Sequence, residues 1–264
     1  MEQEAIDELF SLISGAKHCI TLTGAGVSTL SGIRDFRGKD GLYKDMDAEK
    51  IFDVDYFFRD PSFYYSHAKD FIYNLEEKTP SVVHTTLGKL EERGYLKAVV
   101  TQNIDLLHTK GGSARVIEIH GSPQAHYCPD CQSSAAAEEA VLAGKVKERG
   151  FMEFAEAAAI VQKNELPRCG KCGGVVKPAI TFFGEGLPVH ALAAAEKEAA
   201  AADLMLVLGT SLTVFPAAGL PRITQRNGGK IIIVNAMETP MDASALLRFK
   251  DLGTVFEGLA FLLQ

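Results

Sequence analysis

Six short apolar runs, spaced by helical patterns, limit the fold of this chain more than any other feature. They cover residues 19–22, 98–100, 116–119, 175–181, 204–208 and 231–234. Each is too short for a helix. Each is largely apolar, as strands are when a parallel sheet is covered on both faces. Helical patterns over 4–13, 82–92, 191–202 and 216–224 precede four of them, with Pro216 placed for a first turn. Residues 252–263 add a last strand or helix. This alternation predicts an α/β fold with an open, doubly wound, Rossmann-like parallel sheet. Two stretches break it: an aromatic-rich segment at 39–78 and a cysteine-bearing segment at 127–174. They are expected to form a small helical and zinc-binding module inserted into the sheet domain. The sheet domain would then comprise 1–38, 79–126 and 175–264.

Five of the six runs lead directly into polar or glycine-rich motifs. Thr23-Gly24-Ala25-Gly26 follows the first, Thr101-Gln102-Asn103-Ile104-Asp105 the second and His120-Gly121 the third. Gly209-Thr210-Ser211 follows the fifth and Asn235 the sixth. In a parallel sheet all carboxyl ends share one edge, where ligands bind. The first motif reads as a strand entering a glycine turn that cradles a pyrophosphate. Its spacing departs from the dehydrogenase fingerprint, because Thr29 stands where a third glycine is needed. His120 supplies a base that titrates near neutrality, and Asp105 and Asn103 a carboxylate and an amide. The other six histidines (His18, His67, His84, His108, His126 and His190) are read as surface or satisfied core residues.

Cys128-x-x-Cys131 and Cys169-x-x-Cys172 have the bite of two zinc knuckles, 37 residues apart. Four thiolates complete a tetrahedral shell and leave no position for water, so the metal is structural. Cys19 falls inside an apolar run and is a small core residue. A net charge of −7 gives no excess of cations to neutralise phosphates, which argues against nucleic-acid binding and favours a basic peptide. No run approaches the roughly 20 apolar residues of a membrane span. The acidic start Met1-Glu2-Gln3-Glu4 does not read as a secretory signal, and the free cysteines suit a reducing, cytoplasmic compartment.

Taken together, Gly24 to Gly38, Thr101 to Asp105, His120-Gly121, the four cysteines, Lys177 to Glu185, Gly209 to Ser211 and Asn235 resemble the sirtuins, NAD-dependent protein-lysine deacylases. The resemblance covers nearly the whole chain and implies a discontinuous Rossmann-type domain with a helical and zinc module. It also implies roles. Gly24, Ala25, Gly26 and Ser28 hold the NAD phosphates and ribose. Asp35, Phe36 and Arg37 form the cofactor loop, with Phe36 shielding the reacting carbon. Gln102 faces the nicotinamide ribose, and Asn103, Ile104 and Asp105 line the nicotinamide pocket. His120 is the general base, acting through a ribose hydroxyl. Gly209, Thr210, Ser211, Asn235 and Asp251 meet the adenosine half. Phe183, Gly184 and Glu185 on one edge, and Leu212 and Val214 on another, take the peptide as an added strand.

The implied chemistry consumes NAD. The acyl oxygen of the modified lysine attacks the ribose carbon as nicotinamide leaves. A ribose hydroxyl then attacks the resulting imidate, giving lysine, nicotinamide and O-acetyl-ADP-ribose. Dry walls of Phe36, Ile104 and Phe183 would keep water from simply hydrolysing NAD. Expected partners are acetyl-lysine proteins or peptides, with no nucleic acid, no membrane and a monomeric chain.

The chain departs from the sirtuin pattern at Arg34, where proline is usual, and its cysteine insert is long. Sirtuins that favour acidic acyl groups carry Tyr-x-x-Arg on a helix of the small module. Here the matching stretch is Tyr65-Ser66-His67-Ala68, without arginine. Tyr56-Phe57-Phe58-Arg59 has the spacing but lies before that helix, so acetyl is expected over succinyl. The alternatives differ in class: protein ADP-ribosyl transfer, or long-chain or acidic deacylation, on the same scaffold; a hydride-transferring oxidoreductase; a non-catalytic zinc scaffold.

Overall fold

The computed structural model describes residues 2–35, 38, 41, 48–143 and 150–264. Nine strands run through them: β1 Cys19–Thr23, β2 Leu96–Thr101, β3 Val116–Glu118, β4 Gly121–Tyr127, β5 Phe151–Glu153, β6 Lys177–Ile180, β7 Leu204–Leu208, β8 Lys230–Val234 and β9 Leu247–Phe249. The chain divides into two compact units. The first comprises Met1–Gly41, Lys78–Ile119 and Ala193–Gln264, the second Leu42–Glu77 and His120–Leu192.

The first unit holds a six-stranded sheet in the order β3-β2-β1-β7-β8-β9, with every pairing parallel. Counting only its own strands, the order is third, second, first, fourth, fifth, sixth. This is the doubly wound Rossmann order, in which the direction of winding reverses between the first and fourth strands. β1 and β7 are buried at every position, which explains their uninterrupted apolar or small-polar sequences. The core continues through Ile6, Leu9 and Ile13 of helix α1 (Glu2–Gly15) into Val255, Phe256 and Leu259, residues of the terminal helix 252–262. The last predicted element is therefore a helix. Its amino end is capped by Asp251, whose carboxylate accepts from Thr254 N at 2.6 Å.

In the second unit β4 pairs antiparallel with β5 on one side and β6 on the other. The apolar run at 175–181 thus belongs here and not to the parallel sheet, whose sixth member is β9. Pro178 in β6 has no N–H to give, and an end strand of a three-stranded sheet tolerates that. Helices α2 (Ala48–Ile51), α3 (Val54–Arg59) and α4 (Pro61–Ala68) lie within the aromatic stretch. Phe57 and Tyr64 meet Phe182 edge-on or tilted, at ring-centre distances of 5.5 and 5.1 Å. Among the described residues no helix is long and apolar enough to cross a membrane.

Candidate active site and metal centre

At the reversal point of the first sheet, the loops after β1 and β7 touch through backbone. Gly24 N donates to Leu208 O at 3.0 Å and Gly26 N to Gly209 O at 2.9 Å. A Cβ on Gly26 would stand 2.8 Å from Gly209 Cα, and one on Gly209 would stand 2.6 Å from Val27 N. Gly209 also has φ +59. Glycine is required here by close approach, because the N–H groups of Gly24 and Gly26 are spent bonding the two loops directly together. A short 3-10 helix, Ala25–Ser31, leaves this turn and carries Ser28 inward.

The loop after β2 joins the same network. Gln102 N donates to Thr23 O at 3.0 Å, and Gln102 Nε2 donates to Thr210 Oγ1 at 3.0 Å. Asn103 Nδ2 lies 3.2 Å from both Gly24 O and Ser28 Oγ. Ser28 donates to Asp105 Oδ2 at 2.5 Å, and the other carboxylate oxygen accepts from Leu107 N at 3.0 Å. Leu106 takes φ +61 between them. Gly24, Gly26, Ser28, Gln102, Asn103, Asp105, Gly209 and Thr210 therefore form one bonded constellation. Asn235 begins the loop after β8 and turns its amide to Met237 O. Ser211 pairs with Thr213, and Leu212 is buried. The Asp251 carboxylate is engaged in its helix cap. Asp35 accepts from Gly38 N at 2.9 Å, while Phe36 and Arg37 lie outside the described residues.

Two residues read as background histidines belong to this network. His84 and His108 are fully buried, with ring centres 4.8 Å apart. Ser81 N donates to His84 Nδ1 at 3.1 Å, so Nε2 carries the hydrogen and points it at Ser28 Oγ, 3.4 Å away. Ser28 hands its own hydrogen to Asp105, and the polarity of the chain is thereby set. Thr23 donates to Thr101 Oγ1 at 2.8 Å, so His108 Nε2 must be the donor to Thr23 Oγ1 at 2.9 Å. Thr101 Oγ1 also accepts from Asn103 N. The available signal was Ser81, a helix-capping type three residues before His84.

Burial lowers the His84 pKa and holds His108 at about 3, with His84 adding to the effect on His108. His126 in the second unit is likewise held at about 3, first by burial and then by Lys177; Tyr73 Oη lies 2.7 Å from its Nε2. Unfolded imidazoles bind protons that these native ones refuse. Stability is thus complete above the ordinary value of 6.5 and declines as pH falls toward 3. The loss between about pH 7.5 and 5.5 is on the order of 1 kcal/mol for each of His108 and His126. Urea midpoints at the two pH values check this. Carboxylates do not mask it, because their ordinary range lies lower. An unchanged or higher midpoint at the acid value would contradict the assignment.

His120 opens the second segment of the second unit. Its imidazole is half-buried and its carbonyl accepts from Thr181 N at 2.8 Å. Gly121 follows with φ +77, where a Cβ would meet Ala179 O at 2.2 Å. Further along this unit, Phe183 N donates to Phe52 O at 2.7 Å and Val54 N donates to Phe183 O at 3.1 Å. Phe183 is 44% exposed. The N–H and C=O of the exposed Gly184 have no partner among the described residues.

The four cysteine sulfurs Cys128, Cys131, Cys169 and Cys172 lie within 4.8 Å of one another, and none is in a disulfide. Tetrahedral zinc with Zn–S near 2.3 Å needs sulfurs about 3.8 Å apart, so the set fits. Lys171 N and Gly174 N each lie 3.4 Å from a cysteine sulfur, as thiolate acceptors require. Cys19 is buried and separate, in β1.

A family model described as Sir2 matches residues 24–216. An NAD-dependent protein deacetylase of Thermotoga maritima is 41% identical over 242 residues, 92% of this chain and 91% of its own length. An NAD-dependent protein deacylase 2 of Archaeoglobus fulgidus is 39% identical over 92% of this chain and 88% of its own. A Sir2 structure with a deacetylated p53 peptide and 3'-O-acetyl ADP ribose superposes with a TM-score of 0.84 at 39% identity, covering 97% and 96% of the two chains. A Sir2 complex with p53 peptide and NAD+ gives 0.82 at 38%, with the same coverage.

Proposed function

The chain belongs to the Sir2 family, and from that premise we propose that it removes acetyl groups from protein lysines at the expense of NAD. It is an NAD-dependent protein-lysine deacetylase whose products are lysine, nicotinamide and O-acetyl-ADP-ribose. One water is consumed. The observation that carries this reading is the constellation at the reversal point of the sheet, where the backbones of Gly24, Gly26 and Gly209 meet beside Asn103 and Asp105. Helix-start N–H groups and glycine backbone suit a pyrophosphate. Asp105, aimed by Ser28 and Leu107, suits the nicotinamide amide. Asn103 and Ile104 line the same pocket, and Gln102 and Thr210 suit the riboses. His120 takes a proton from a ribose hydroxyl after nicotinamide has left. The four cysteines hold structural zinc and take no part in the reaction.

The peptide is taken as an added strand on Phe183, Gly184 and Glu185. The N–H and C=O of Gly184, without partners among the described residues, support this, because strand addition needs main-chain groups free to pair. Leu212 and Val214 are the other expected contacts, with the buried Leu212 offering backbone rather than side chain.

Acetyl is preferred over succinyl. The Tyr65 hydroxyl donates to Val176 O at 2.6 Å inside the core, and its helix α4 carries no arginine. Arg59, on α3, stacks over Tyr56 instead. Incubation of an acetyl-lysine peptide with and without NAD, followed by mass measurement of peptide and nucleotide, tests the activity. Loss of the acetyl mass only with NAD, with an acetylated ADP-ribose product, is expected. A gain of an ADP-ribosyl mass on the peptide would mean protein ADP-ribosylation. The same peptide carrying succinyl is expected to react more slowly, and the reverse order would overturn the preference.

A further inference from the structure

Lys177 is 1% exposed, although lysine is among the residue types least often fully buried. Its ammonium has three hydrogens and finds three oxygens. It donates to Ile180 O at 2.8 Å and Pro178 O at 3.3 Å, and meets Glu185 Oε2 at 2.9 Å. The Phe182 ring lies under it, 4.0 Å from ammonium to ring centre. Glu185 Oε2 also accepts from Phe182 N at 2.8 Å, and Glu185 N returns a bond to Phe182 O at 3.0 Å. A single carboxylate oxygen thus joins the buried cation to a closed turn, Phe182 to Glu185. Phe183 and Gly184 sit at its crown. A buried pair of this kind gives little net stability over an apolar replacement, because desolvation offsets the attraction. It does fix geometry, since a three-hydrogen, three-oxygen fit permits one arrangement.

We propose that Lys177, through Glu185, is the positioning residue that shapes the peptide-binding turn, presenting Gly184's bare N–H and C=O to the substrate backbone. This rests on the reading that the turn takes the peptide as an added strand. Lys177 touches neither the acyl group nor NAD in this role. Its removal therefore weakens binding of an extended peptide and leaves a substrate without flanking backbone unaffected.

The test compares Lys177→Met, Glu185→Gln and the double variant with the unaltered enzyme. Substrates are an acetyl-lysine peptide and a capped single acetyl-lysine, each varied at saturating NAD; NAD is varied separately. Lys177→Met keeps the stem and removes the ammonium. Glu185→Gln keeps an oxygen for Phe182 N and removes the ionic partner, and it reports on the pair even where Lys177→Met fails to fold. The expected result is a peptide KM raised roughly tenfold in each single variant, with kcat, NAD KM and the KM of capped acetyl-lysine within about twofold. The double variant is expected to be no worse than the worse single one, because both act through one pair. Equal loss on both substrates, additive losses, or an unchanged peptide KM would overturn the proposal. A peptide N-methylated beside the acetyl-lysine separates this from failure of the strand reading. If the unaltered enzyme binds it as well as the parent peptide, the strand reading itself is wrong.

Discussion

His120→Ala is expected to lower kcat for deacetylation by roughly 10²–10⁴-fold, the range for losing a positioned acid–base group. The backbone should not respond to the change. Gly121 makes the turn, and the His120 carbonyl remains bonded to Thr181 N whatever side chain is attached. The loss is therefore chemical and appears in kcat, with the melting temperature little changed. It also has a position in the reaction sequence. On the proposed mechanism the imidazole acts after nicotinamide departs, so exchange of labelled nicotinamide into NAD should persist in the variant while peptide product disappears. Retention of deacetylation within about twofold would remove His120 from the mechanism. Loss of exchange together with product would assign it to the first step instead.

Cys169→Ala is expected to abolish metal binding and, with it, the native structure of the second unit. Structural zinc contributes about 10–16 kcal/mol in zinc-finger peptides, which matches or exceeds the 5–15 kcal/mol that stabilises a typical domain. The local frame depends on the site: Cys128 directly follows β4 and its N–H donates to Gly150 O, while Cys169 N donates to Gly174 O. Metal content per chain should fall from one to none. The near-ultraviolet circular dichroism of Tyr73, Tyr127 and their neighbours should collapse, and activity should go with it. Chelation of the unaltered protein should follow the same course. A fully demetallated protein that keeps its tyrosine signal and its activity would show that the cysteines are not structural ligands.

The parallel sheet was legible because burial on both faces writes itself as continuous apolar runs, and β1 and β7 are such runs. The same signal misassigned residues 175–181. A short apolar run reports burial and not the direction of its neighbour, and β6 is buried against an antiparallel partner. β9 was missed because Leu247, Arg248 and Phe249 form a three-residue end strand with an arginine at its centre. The strand-end motifs could be read because their residue types are chemically pointed. His108 could not, since nothing local distinguishes a histidine buried in a hydrogen-bond chain from one on a surface, and at His84 the local sign was Ser81 three residues before it. Only the folded register of β1, β2 and their loops puts Thr23 against His108 and Ser28 within reach of His84.

The mutual contact of Gly26 and Gly209 carries a consequence for divergence. Each occupies the volume in which the other would need a side chain, across 183 positions of sequence. Enlarging either cannot be accommodated by shrinking its neighbour, because no residue is smaller. Random mutagenesis of the pair should return only the parental doublet, and lineages drifting elsewhere should find these two sites closed to exploration.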